Sequence, residues 1–180
     1  WVGGIRRSSV VARQYDESGA AGNTLSTAIK SGTVYGISVD SSGNIFLAGN
    51  FSISSSTYRV VVYNDSLVEQ WKSNLGDTGR AITARAGLGC YVNFTAPYNA
   101  YQLDGSGSEN WSKYDLGNGT GVATDASDNA YFTHEYTVDS LIKYNGSGTY
   151  QWSKNHGGYL RCVAIDGSGG VVVGGDVSSG

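Results

Sequence analysis

The chain has 180 residues, a net charge of −3, 39% hydrophobic and 15% charged residues. Its apolar runs are of strand length, which excludes a membrane-spanning helix, and the moderate charge excludes a disordered chain. The net charge leaves no electrostatic footprint for nucleic acid or an anionic membrane, the short apolar runs predict no membrane insertion, and Cys90 and Cys162 are too few and too far apart for a disulfide framework or a thiolate zinc site.

There are 27 Gly and 13 Tyr against one Pro, the mixture that many short strands joined by tight turns require. With Trp1 first and no Met, the sequence reads as a mature or trimmed product. The first predicted element is a hairpin near 8–27, turning at Asp16-Glu17-Ser18-Gly19. A second, near 34–49, turns at Asp40-Ser41-Ser42-Gly43, and a third, near 58–73, turns at Asn64-Asp65-Ser66 and ends on Trp71. The hairpin near 80–94 is a degenerate copy with Ala86 read in place of the turn Asp. Then come 99–113, turning at Asp104-Gly105-Ser106-Gly107 and ending on Trp111, and 120–134, turning at Asp125-Ala126-Ser127-Asp128. The last two are 140–154, turning at Asn145-Gly146-Ser147-Gly148 before Trp152, and 160–174, turning at Asp166-Gly167-Ser168-Gly169. Asp and Asn cap their own turn backbone, and Gly accepts positive φ, so each block is strand, turn, strand.

Two hairpin types alternate. Trp71, Trp111 and Trp152 are spaced by 40 and 41 residues, and Asp125 and Asp166 by 41. Two hairpins per period give four strands in about 40–46 residues, the length of one β-propeller blade. A β-helix repeats over roughly 20–25 residues per coil, and a sandwich does not predict one Trp per period. The fold expected is all-β: a propeller of four-stranded antiparallel blades, about four blade equivalents in a single domain over 1–180. With strands a to d in each blade, the chain starts on an outer c–d hairpin and stops on an inner a–b hairpin. These halves are complementary, so ring closure by pairing of Val10–Tyr15 with Val171–Gly174 is the favoured expectation. Unclosed, the chain is an open fragment whose other halves come from missing sequence or a neighbouring subunit, since open edges invite association.

The blocks Val39-Asp40-Ser41-Ser42-Gly43-Asn44-Ile45-Phe46-Leu47-Ala48-Gly49 and Lys143-Tyr144-Asn145-Gly146-Ser147-Gly148-Thr149-Tyr150-Gln151-Trp152 resemble the bacterial β-propeller repeat family. They are also similar to pyrroloquinoline-quinone-type propeller repeats. The pattern departs at Asn23, where Trp would stand, and at Ala86. The resemblance implies the fold, and an extracellular, periplasmic or virion-surface setting in bacteria or phage. It says little of function, because propellers host many.

One Trp per repeat suits docking between neighbouring blades, so Trp71, Trp111 and Trp152 are read as structural. The loops joining d to a and b to c share one face and gather Tyr35, Phe51, Asp77, Arg80, Tyr98, Asn118, His134, Tyr136, His156, Tyr159 and Arg161. Of these, Tyr35, Arg80, Tyr98, His134, Tyr136, His156, Tyr159 and Arg161 are the candidate ligand-binding residues, being stacking and hydrogen-bonding types on loops. Asp125 and Asp128 offer two carboxylates where calcium prefers six to eight oxygens, so the run reads as a turn and no metal is expected. Asn50, Asn64, Asn93, Asn110, Asn118 and Asn145 head Asn-x-Ser/Thr sequons. No nucleophile elbow, phosphate loop or zinc-protease motif is present, and His134 and His156 have no partner at motif spacing. The expectation is a non-catalytic scaffold or protein-interaction module without a cofactor. The alternative is a lectin-like propeller binding a surface glycan on the loop face. A fragment of a quinone enzyme ranks third, since four blades are too few for that ring.

Overall fold

The computed structural model describes residues 2–6, 9–25, 31–75, 77–95, 98–114, 117–135 and 140–177. These form seventeen strands in five antiparallel sheets, ordered along the chain. The first sheet holds β1 (Val2–Arg6), β2 (Ser9–Tyr15) and β3 (Ala21–Leu25). The second holds β4 (Ser31–Val39), β5 (Ile45–Ile53), β6 (Ser56–Tyr63) and β7 (Glu69–Ser73). The third holds β8 (Gly79–Ala84), β9 (Cys90–Phe94), β10 (Tyr98–Leu103) and β11 (Glu109–Tyr114). The fourth holds β12 (Asn118–Thr124), β13 (Ala130–Glu135), β14 (Leu141–Tyr144) and β15 (Tyr150–Lys154). The fifth holds β16 (Gly158–Ile165) and β17 (Val171–Val177). Among the described residues there is no α-helix, only a 3-10 turn at Ala86–Leu88, and no helix is long and apolar enough to cross a membrane.

The sheets stack face to face, and this explains the uninterrupted apolar runs. A strand covered on both faces sends alternate side chains into two different cores. On β5, Phe46 and Ala48 enter the core shared with the third sheet, beside Ile82, Val92 and Leu103. Ile45 and Leu47 enter the core shared with the first sheet, where they join Ala12. Val60 and Val62 on β6 follow the first pair, and Val61 and Tyr63 the second. A third core joins Tyr91 and Trp111 to Phe132 and Tyr144. A fourth joins Tyr131 and Trp152 to Leu160, Val163 and Val173.

Three expectations need correction. A strand, β1, precedes the first hairpin, and it pairs along β2 from Val2↔Arg13 to Arg6↔Ser9. Gly3 and Gly4 weaken its strand signal, yet Val2-Gly3-Gly4 repeats Val173-Gly174-Gly175 of β17. Self-closure is the second: among the described residues β2 is flanked by β1 and β3, and β17 pairs with β16 alone, so β2 and β17 share no ladder. The edge of β2 meant for β17 is taken by β1. The third is the register of the degenerate hairpin. Ala84↔Cys90 closes it as Val39↔Ile45 closes its counterpart, so Arg85, not Ala86, stands in the place of Asp40.

Candidate functional site

The first strand of each later sheet, β4, β8, β12 and β16, is an edge strand, and these four lie against one another in turn. Each carries a register shift at the same place. The shift falls between Val34 and Gly36, Gly79 and Ala81, Gly119 and Gly121, and Leu160 and Cys162. The extra residues are Tyr35, Arg80, Thr120 and Arg161. A bulge re-aims the side chain of its extra residue and recurs beside functional sites. Here four bulges make one row.

Three of these residues make contacts that cross from one sheet to the next. The Arg80 guanidinium lies over the Tyr35 ring, 4.8 Å from its centroid. Both side chains are exposed. No carboxylate among the described residues pairs with Arg80. The Thr120 hydroxyl donates to the Leu160 carbonyl at 2.6 Å. Arg161 donates from Nε to Asp176 at 3.0 Å and from Nη1 to Glu135 of the preceding sheet. It also lies 5.7 Å from the centroid of the Tyr159 ring, which is 40% exposed. These bonds hold its charge firmly, Asp176 contributing most. One end of the row thus presents a free guanidinium on an aromatic ring, and the other a compensated one.

The sequence singled out Tyr35, Arg80, Tyr159 and Arg161 as loop residues, and the structure sets them within strands. Thr120 was missed, although all four bulge residues stand five positions before the turn residues Asp40, Arg85, Asp125 and Asp166. His134 does not belong to an exposed face. It is fully buried on β13, in register with Gly119, and lies against Phe132 with ring centroids 6.5 Å apart. Burial lowers its pKa to about 3, and neither ring nitrogen has a hydrogen-bond partner among the described residues. Phe94 holds the equivalent place on β9, opposite Gly79, so the site is an apolar slot. Phe51 is also fully buried, as is Asn93, whose amide donates to the Gly121 and Thr133 carbonyls at 3.0 Å. His156 is exposed, its backbone amide donating to Ser140 Oγ at 3.2 Å. Tyr98 lies on β10, and Tyr136 lies outside the described residues.

The opposite ends of the same strands carry a second feature, which the misread register hid. Arg85, in the place of a turn Asp, donates to both carboxylate oxygens of Asp128 in the next sheet, one bond measuring 2.7 Å. It also covers the Tyr91 ring, 4.9 Å from its centroid. Open grooves of 440 and 420 Å³ flank it, one toward Thr124–Asp128 and one toward Ser38–Ser42. Asp128 is spent on Arg85. Asp125 accepts from Asn129 Nδ2 at 2.8 Å and from Tyr131 at 2.9 Å. Burial pushes the Asp125 carboxyl up, but these bonds outweigh it and hold its pKa below the ordinary value. Among the described residues no group of three or more His, Cys, Asp or Glu could hold a metal.

The tryptophans reach from one sheet to the next. Trp71 is 7% exposed, and its indole N–H donates to the Leu88 carbonyl at 3.1 Å. Trp111 is half-buried and donates to the Gly146 carbonyl at 3.3 Å. Trp152, also half-buried, packs on Tyr131 at a centroid distance of 5.9 Å.

No family model and no curated protein matches the chain. Solved structures share its fold. A protein of unknown function from Bacteroides caccae is 12% identical with a TM-score of 0.63, over 96% of this chain and 63% of its own length. The computationally designed Ika4 protein is 9% identical with a TM-score of 0.60, over 79% of this chain and 91% of its own. The chain therefore spans less than two thirds of the Bacteroides caccae protein.

Proposed function

We propose that this chain is a run of β-propeller blades serving as a non-catalytic interaction module, with the bulge row as its contact surface. The propeller reading is supported by the side-by-side first strands and by the core between each pair of successive sheets. The likeness of its repeats to the bacterial propeller family also supports an extracellular, periplasmic or virion-surface setting.

One observation carries the function: Arg80 stacks on exposed Tyr35 without a carboxylate partner among the described residues. Arg and Tyr dominate protein interface hot spots, and a guanidinium fixed on a ring costs less entropy to engage. The partner is a protein segment bearing a carboxylate that reaches Arg80. A surface glycan is the second reading, since Tyr35 and Tyr159 are exposed rings. It ranks lower because a guanidinium already covers one face of each.

Parallel arrays of acidic peptides and of neutral and acidic glycans, probed with the wild type and Arg80→Ala, test this. Peptide binding that Arg80→Ala weakens about tenfold or more supports the first reading. Glycan binding that Tyr35→Ala abolishes supports the second. Binding unaffected by either substitution refutes both.

A further inference from the structure

The four bulges repeat one piece of backbone, so the surroundings of Arg161 can be laid over those of Arg80. Two residues before each bulge residue stand Thr33, Thr78, Asn118 and Tyr159. Each has a partner on the neighbouring strand of its own sheet. Thr33 pairs with Asn50, Asn118 with Glu135 and Tyr159 with Asp176. Thr78 meets Thr95, whose amide donates to the Thr78 carbonyl at 3.0 Å. Asn50, Thr95, Glu135 and Asp176 therefore hold one register place in four successive sheets.

Arg161 uses that place twice. Asp176 of its own sheet sets Oδ2 3.0 Å from both Nε and Nη2. Glu135 of the preceding sheet accepts from Nη1. Arg80 has the same bulge and the same cation, but neither anion. Its own sheet offers Thr95, and the preceding sheet offers exposed Asn50. Asp77, the carboxylate nearest to Arg80 in sequence, accepts from the Thr78 amide at 2.7 Å and forms no ion pair among the described residues. An aromatic ring engages a guanidinium through its face, whereas the N–H donors lie in its plane. Tyr35 thus leaves for a ligand the donors that Glu135 and Asp176 occupy on Arg161.

We propose that Arg80 takes two carboxylates from its ligand, at the places that Glu135 and Asp176 fill around Arg161, and that the ligand is an extended segment with acidic residues at i and i+2. The inference rests on the contact surface proposed above and narrows its partner. Two such residues share one face of an extended chain, about 6.6 Å apart. Asn50 and Thr95 are neutral, so they set no repulsion against them. Arg161 does not compete for the same segment, because two carboxylates of this chain already hold its donors. The row is thereby selective: the chain supplies the anions at one arginine and leaves them to the partner at the other.

Calorimetric titration with two acetylated, amidated peptides, Gly-Glu-Ala-Glu-Gly and Gly-Glu-Ala-Gln-Gly, tests this. The wild type is expected to bind one equivalent of the first, and to bind the second more weakly by about threefold or more. Asn50→Glu with Thr95→Asp places both anions in the chain itself. It is expected to weaken the first peptide about tenfold or more, since tethered carboxylates act at high effective concentration. Glu135→Asn with Asp176→Thr bares Arg161 and is expected to add a second equivalent, which Arg161→Ala removes. Circular dichroism checks each fold, and the single variants Asn50→Glu and Glu135→Asn replace any double variant that does not fold. Equal affinity for the two peptides overturns the inference. So does Arg80-dependent binding that the Asn50 and Thr95 substitutions leave unchanged, or a single equivalent after Arg161 is bared. Each of these leaves the contact surface standing, whereas no binding of either peptide overturns both.

Discussion

Gly107 rests on the indole of Trp71 so closely that a single added carbon would collide with the ring, 2.6 Å from Cε3. The turn is glycine for two reasons that coincide here: positive φ and the absence of a side chain. Trp71→Ala leaves a cavity between two sheets, and it is expected to cost about 3–5 kcal/mol in urea unfolding. Gly107→Val is expected to destabilise through both strain and collision. Trp152→Ala, whose indole meets no turn glycine among the described residues, is expected to cost distinctly less than Trp71→Ala. Equal costs would count against the docking geometry.

His134 predicts a pH dependence whose sign is fixed by burial. Its pKa falls from the ordinary 6.5 to about 3 in the folded chain. The unfolded chain therefore binds the proton first. The contribution of neutral His134 is complete above about pH 6.5 and is lost as pH falls toward 3, at up to about 1.4 kcal/mol per pH unit. His134→Phe, copying Phe94 on β9, removes this slope. Urea midpoints of both proteins across pH 4–7 measure it, and parallel profiles would contradict the burial of an unpartnered imidazole.

Arg85 and Asp128 join two sheets, with side chains 22% and 42% exposed. Solvent reaches the pair, so a double-mutant cycle with Arg85→Ala and Asp128→Ala is expected to give a coupling of only about 0.5–1 kcal/mol. Arg85→Asp restores the turn residue of the sister hairpins but sets a carboxylate against Asp128. It is expected to be less stable than Arg85→Ala, with the difference shrinking in salt.

The two cysteines are free, and they differ in access. Cys90 is fully buried, and burial raises its thiol pKa, whereas Cys162 is exposed. Maleimide is expected to label Cys162 within minutes and Cys90 only after unfolding. Mass spectrometry of the native protein should find one adduct, and two would place Cys90 outside the core.

Much of the strand framework was legible because turn chemistry is local. Asp16, Asp40, Asn64, Asp104, Asp125, Asn145 and Asp166 each bracket a turn with their own side chain or backbone, and each stands where the repeat puts it. What failed was non-local. β1 was missed because Gly3 and Gly4 lack strand character, and the expected closure failed with it. His134 was placed on an exposed face because a polar residue near a strand end reads as solvated, and only its register opposite Gly119 shows the slot it fills. Arg85 was read one position off because its hairpin spends Gly87, Leu88 and Gly89 on a turn unlike its sisters'. Tyr35, Arg80 and Arg161 were chosen for their chemistry, but a bulge row is visible only when ladders are compared.

The binding role of that row is the central claim. Amide chemical shifts in a ¹⁵N-labelled sample, titrated with the best acidic peptide from the array, test it most directly. The account predicts that the perturbed amides cluster at Tyr35, Arg80, Thr120 and Arg161, and that Arg80→Ala removes them. Perturbations centred on Arg85 and Asp128, at the other end of the same strands, would contradict it.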